Sequence, residues 1–67
     1  MKITLNSSPE EIDRDSMTLE ELIQWKNFTF KMLVTKVNDK LIKREERRQT
    51  VIHDGDVVSI LHLISGG

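Results

Sequence analysis

The residues best placed to do chemistry are the last two, Gly66 and Gly67. Read as a chain terminus, Gly67 carries a free carboxyl with an ordinary pKa of ~3.3–3.7, anionic at neutral pH. A carboxylate is a fair nucleophile toward phosphorus and a poor acyl electrophile. Attack on the α-phosphate of ATP, inside a partner enzyme, turns it into an acyl-adenylate, which then accepts sulfur, nitrogen or oxygen nucleophiles. Glycine has no Cβ, so two in succession make a thin, flexible thread for a channel too narrow for side chains. At ~7% usage, a terminal glycine pair arises by chance in roughly one chain in two hundred. That moderate signal gains weight from what precedes it: an acidic turn, Asp54-Gly55-Asp56, then a mostly apolar run from Val57 to Ile64, then Ser65.

Other candidates carry less. The chain has no cysteine, which excludes disulfides, thiolate metal sites and cysteine catalysis. Any sulfur it handles must ride elsewhere. His53 and His62 fall short of the three or four ligands a zinc site takes, and Asp54 and Asp56 are committed to a turn. Both histidines read as surface residues, His62 being able to tune partner binding between about pH 5 and 8. Glu10, Glu11, Asp13 and Asp15 read as solvated charges on a polar edge. Lys40, Lys43, Arg44, Arg47 and Arg48, interrupted by Glu45 and Glu46, read as a solvated hairpin face. The net charge of −1 gives no reason to propose nucleic acid. With no glycine-rich phosphate loop, ATP binding belongs to a partner.

A chain of 67 residues allows one domain that buries only about 60% of its unfolded surface. It leaves little room for a deep pocket, which argues against an enzyme with its own enclosed active site. No apolar run approaches the ~18 residues of a membrane span. The start lacks a signal-peptide core, because Asn6, Ser7 and Ser8 follow directly on the first short strand. A cytoplasmic protein with no membrane partner is expected.

The elements that must position the terminus follow from periodicity. Residues 1–6 alternate, Ile3 and Leu5 against Lys2 and Thr4, as a strand does. Asn6-Ser7-Ser8-Pro9 is a turn cluster, and residues 10–15 predict a polar edge strand with Ile12 its only apolar member. Thr18-Leu19-Glu20-Glu21 is a capping box opening a helix over 19–26, with Leu19, Leu22, Ile23 and the Lys26 stem on one stripe and Met17 stapled to it. Trp25, near the helix end, reads as packing. Residues 27–31 connect to a strand over 32–37 with Leu33 and Val37 inward. Asn38-Asp39 turns the chain into a short strand over 40–43, and 44–49 is a charged turn or coil. Val51 and Ile52 pack back on the core, and the last strand runs over 57–61.

In that strand Val58 and Ile60 face one way, and Val57, Ser59, Leu61 and Leu63 the other. Leu61 and Leu63 either finish the core or stand clear of it. A two-layer domain covers one sheet face with its helix, so part of the second set is read as an exposed partner-binding patch, Leu61 and Leu63. Ile64, Ser65 and Gly66 are then the partner-binding tail and Gly67 the modified residue. The expected fold is α+β: a mixed sheet of four to five strands with one main helix on one face, a single domain over 1–67 with a flexible tail from about 63. Insertion of the last strand beside the first would make it a β-grasp.

Four stretches carry a resemblance beyond the first strand: Thr18-Leu19-Glu20-Glu21-Leu22-Ile23, Val37-Asn38-Asp39-Lys40-Leu41-Ile42-Lys43-Arg44-Glu45, Val51-Ile52-His53-Asp54-Gly55-Asp56 and Ile64-Ser65-Gly66-Gly67. Over essentially its whole length the chain resembles the ubiquitin-like sulfur carrier proteins of the ThiS/MoaD family, and within them the carriers of thiamine biosynthesis. Carriers for molybdopterin often have paired prolines before the glycines, where this chain has His62-Leu63. Lys43 stands where the thiamine carriers often have proline, and Phe28 and Phe30 enrich a loop usually less aromatic.

The resemblance implies a ubiquitin-like β-grasp that is a co-substrate and not a catalyst. A ubiquitin-activating-type (ThiF-like) adenylyltransferase would activate Gly67 with ATP and Mg²⁺. Sulfur drawn from cysteine by a desulfurase would make Gly67 a covalent 1-thioglycine, a thiocarboxylate. A thiazole synthase (ThiG-like) would accept the sulfur. No cofactor is bound by the chain itself. A carrier for molybdopterin or another thiolation pathway, a protein modifier joined to lysines, and a passive β-grasp module remain open alternatives.

Overall fold

A computed structural model describes residues 1–28 and 32–62. The expectations placed on Phe30 and on Leu63, Ile64, Ser65, Gly66 and Gly67 lie outside those residues.

Two hairpins form the flanks of the sheet. Strand β1 (Lys2–Leu5) turns at Asn6 and Ser7 into β2 (Ser8–Glu11). Strand β4 (Leu33–Val37) turns at Asn38 and Asp39 into β5 (Lys40–Ile42). Both loops have two residues and both residues take positive φ: 50° and 68° in the first, 50° and 69° in the second. That is the twist-matched hairpin turn that favours asparagine and aspartate. The edge strand β2 is shorter and earlier than the sequence predicts. Ser8 and Pro9 belong to the strand, and proline is tolerated there because an edge strand need not donate outward. Ile12 lies beyond the strand and is buried; its N–H donates to the Met1 carbonyl at 2.8 Å, while the Met1 ammonium donates to the Ile12 and Arg14 carbonyls at 2.6 and 2.7 Å.

Among the described residues the last strand is β7 (Val57–His62), and it joins the hairpins. The sheet order is β2-β1-β7-β4-β5. β7 runs parallel to β1, with Thr4 opposite Val57 and Leu5 opposite Val58, and antiparallel to β4, from Leu33 opposite His62 to Val37 opposite Val58. A chain whose final strand enters the middle of the sheet, parallel to the first, is a β-grasp. Gly55 in the preceding turn has φ 89°, an angle open to glycine and costly for residues with a Cβ.

A second, two-stranded sheet was not foreseen. β3 (Ser16–Thr18) pairs with β6 (Val51–His53), with Met17 opposite Ile52. Met17 and Ile52 are buried, but Val51 is 43% exposed, so the expectation that both Val51 and Ile52 pack on the core fails for Val51. Successive strand residues point to opposite faces, and only one of the two can be inside.

Helix α1 (Leu19–Trp25) begins at the expected capping box. The Glu21 N–H donates to Thr18 Oγ1 at 3.0 Å and the Thr18 N–H to Glu21 Oε1 at 2.9 Å. The remaining first-turn donors are met from outside the helix. Leu19 N–H donates to the Thr50 carbonyl at 2.8 Å and Glu20 N–H to the Arg47 carbonyl at 3.2 Å. All four amides that a helix start leaves unpaired are therefore satisfied. The Thr18 backbone bond, then Arg14 and the Thr18 hydroxyl, hold the Glu21 carboxyl below its ordinary pKa.

The helix ends in a left-handed cap. Asn27 has φ 59°; its N–H donates to Gln24 O and the Phe28 N–H to Ile23 O, both at 3.0 Å. That is the Schellman pattern with asparagine in the place glycine usually takes, and Phe28 packs against the core just beyond it. Trp25 is not in the core. It is 52% exposed, with the Lys26 Nζ 5.4 Å from its ring centroid and bonded to Glu10 Oε1 at 2.9 Å.

Leu19, Leu22 and Ile23 of the helix share one core with Ile3, Leu5, Val37, Val58 and Ile60 of the sheet and with Met17 and Ile52. The charged segment after β5 contains a 3₁₀ turn, Arg44–Glu46. The Lys43 N–H donates to Glu46 Oε1 at 3.0 Å, a bond proline could not make at that position. Arg47 departs from the solvated reading of the basic run. It is half-buried, with Nη2 donating to Leu33 O at 2.9 Å and Nε to Thr35 Oγ1 at 3.4 Å. Thr35, fully buried, donates in turn to Ile42 O at 2.7 Å.

Candidate functional site

The described part of the site is the strand that leads to residues 63–67. In β7 the sequence pattern Val-Val-Ser-Ile-Leu-His splits by face. Val58 and Ile60 point to the helix and are buried, whereas Val57 and Leu61 are 51% and 54% exposed on the other face. Of the two residues assigned to a partner patch, Leu61 stands exposed and Leu63 lies outside the described residues.

Register supplies neighbours for Leu61 that the sequence reading did not include. Val34 of β4 lies opposite Leu61, and Lys36 opposite Ser59. Leu41 of β5 lies opposite Lys36 and is 57% exposed. The sheet face away from the helix therefore carries Val57, Leu61, Val34 and Leu41 around Ser59 and Lys36. Val34 was accessible to alternation, since Leu33 and Val37 were read as inward. Leu41 was not, because a three-residue strand gives no period to follow.

The strand is held from both sides by turn asparagines. Asn38 Oδ1 accepts the Val57 N–H at 2.9 Å, Asn38 Nδ2 donates to Asp56 Oδ1 at 3.1 Å, and the Asn38 N–H donates to the Val57 carbonyl at 2.7 Å. Asp56 also accepts the His53 N–H at 2.8 Å, and Asp54 Oδ1 accepts the Lys2 N–H at 2.7 Å. The acidic turn is thus occupied in fixing where β7 begins. At the other end, Asn6 Oδ1 accepts the Ile60 N–H at 2.8 Å and Asn6 Nδ2 donates to the Ile60 carbonyl at 3.1 Å. The sequence marked both asparagines only as turn formers.

His53 and His62 are exposed. Among the described residues no group of three or more His, Cys, Asp or Glu side chains could hold a metal ion, and no helix is long and apolar enough to cross a membrane. A hollow of about 440 Å³ lies between β4, β5 and the 3₁₀ turn, open to solvent beside Met32, Leu41 and Arg47. It presents no pair of groups placed for acid–base or nucleophilic work.

The fold is similar to the crystal structure of a thiamine biosynthesis protein, ThiS, from Geobacter metallireducens, with TM-score 0.89, 28% identity and complete coverage of both chains. It is also similar to the solution NMR structure of a thiamine biosynthesis protein from the same organism, with TM-score 0.82, 28% identity, all of this chain covered and 88% of that one. No curated protein matches. The sequence pattern of the ThiS family matches residues 3–67, from the first strand through Gly67, and this chain belongs to that family.

Proposed function

We propose that this chain is a sulfur carrier of thiamine biosynthesis, a co-substrate that partner enzymes act on. The observation that carries the reading is the family match running through Gly66 and Gly67, on a fold whose central strand leads directly to them. A ThiF-type adenylyltransferase docks the open sheet face around Leu61 and takes the terminus. The Gly67 carboxylate oxygen attacks the α-phosphate of Mg²⁺-bound ATP, and pyrophosphate leaves. The terminal sulfur of a protein persulfide, charged by a cysteine desulfurase, attacks the acyl carbon, and AMP leaves. A second thiol cleaves the sulfur–sulfur bond, leaving the thiocarboxylate on Gly67 and a disulfide on the donor side. A ThiG-type thiazole synthase then accepts the sulfur. Adenylation is needed because a bare carboxylate resists nucleophiles and its mixed anhydride does not.

The test is intact mass of the chain after incubation with the host's adenylyltransferase, ATP-Mg²⁺ and a persulfide source. The expected result is a gain equal to one oxygen replaced by sulfur, mapped to Gly67. An unchanged mass, with an enzyme active on another carrier, would sink the reading.

A further inference from the structure

Asn6 ends β1 and opens the first hairpin turn. Its own N–H still donates to the Val58 carbonyl at 2.9 Å, so the parallel ladder between β1 and β7 reaches that point. In a continuing parallel ladder the next bond would run from the Ile60 N–H to the main-chain carbonyl of Asn6. The chain turns away instead, at φ 50°. The side-chain amide takes over both groups of Ile60, accepting its N–H at 2.8 Å and donating to its carbonyl at 3.1 Å. Asn6 thus acts as one more residue of β1 and carries the bonding of β7 two residues further than the strand itself. That extension ends at Ile60, with only Leu61 and His62 between it and residues 63–67.

We propose that Asn6 is a positioning residue for the chemistry at Gly67: its amide clamp on Ile60 fixes the course of β7 toward the terminus. The idea rests on the carrier reading. A carboxylate several positions after Ile60 in the sequence reaches a partner's active site productively only if the strand leading toward it points in one direction. A misplacement of about 1 Å at a reacting atom can cost on the order of a hundredfold in rate. Asn38 provides an internal control. It is the same residue type, in the same kind of turn, at the same φ of 50°, also bonding the backbone of β7, but at Val57, the far end of the strand.

The experiment compares Asn6→Gly with Asn38→Gly, since glycine keeps the positive φ available and removes only the amide. ATP–pyrophosphate exchange is followed with the host's ThiF-type adenylyltransferase, varying the chain as substrate. Asn6→Gly is expected to lower kcat about tenfold with KM little changed, because Val57, Leu61 and Leu41 still dock. Asn38→Gly is expected to leave kcat within about twofold. Loss of folded protein alone would raise the apparent KM and spare kcat. Hydrogen exchange at the Ile60 amide should quicken in Asn6→Gly and not in Asn38→Gly. An unchanged kcat for Asn6→Gly, an equal kcat loss in both variants, or an unaltered Ile60 amide overturns the proposal. If Asn6→Gly does not fold, Asn6→Asp reads the same split. It keeps the acceptor for the Ile60 N–H and loses the donor to the Ile60 carbonyl; lowered kcat at constant KM supports the role and unchanged kcat overturns it. Absence of exchange with the wild-type chain, using an enzyme active on another carrier, fails the carrier reading itself and takes the role of Asn6 with it.

Discussion

Thr18 and Glu21 exchange backbone bonds at the start of a helix only seven residues long, so each has an outsized share in whether that helix forms. Thr18→Ala should lower the unfolding free energy by about 1 kcal/mol, measured in urea with an unchanged m-value. Glu21 adds a pH signature. Its carboxyl is held below its ordinary pKa in the folded chain, chiefly by the Thr18 N–H. The charge-dependent part of its contribution is therefore complete above the ordinary carboxylate range and fades as pH falls through the lowered value. The stability difference between wild type and Glu21→Gln should narrow on acidification. A difference constant from neutral pH down through that range would contradict the linkage. This capping box was legible because both partners sit within four consecutive residues. The clamp of Asn6 on Ile60 was not, because its partner lies 54 positions away and a side-chain amide bonding a distant backbone leaves no local pattern.

Among the elements, β3 and β6 show where periodicity stops informing. Each has three residues, too few to display alternation, and their pairing joins distant parts of the chain. Ile52 and Val51 are neighbours of similar chemistry with opposite fates, the first fully buried and the second exposed. Ile52→Ala should cost about 2–5 kcal/mol, whereas Val51→Thr should stay within about 0.5 kcal/mol of wild type. Equal losses in parallel denaturant titrations would contradict the register of β6. The charged segment after β5 makes the same point. Its side chains suggested a charged turn or coil, and a 3₁₀ turn is there, but the carbonyls of Arg47 and Thr50 also complete the helix start. A backbone acceptor is the same whichever residue carries it, so composition could not reveal this. Strongly periodic or strongly punctuated stretches, such as Ile3 with Leu5, Asn38-Asp39 and Val58 with Ile60, were read correctly.

At the scale of the molecule, one sheet face is closed by the helix and the other holds Val57, Leu61 and Leu41 open. Exposed apolar side chains gathered on one surface favour a binding role over a stabilising one. Under the carrier reading, Leu61→Asp and Val57→Asp should each leave stability within about 0.5 kcal/mol and weaken binding to the adenylyltransferase by at least about tenfold, read by calorimetry. Unfolding of either variant would place these residues in the core instead.

The position of β7 also governs how the chain acquires its structure. The flanking hairpins close through two-residue turns, events on the order of microseconds. They share no sheet bond until β7 arrives, and its parallel pairing brings Thr4 to Val57, a closure across most of the sequence. Synthesis proceeds from the N-terminus, so of the described strands the one that unites the sheet leaves the ribosome after all the others. The domain cannot mature piecemeal; its core and the approach to residues 63–67 come into being in the same step.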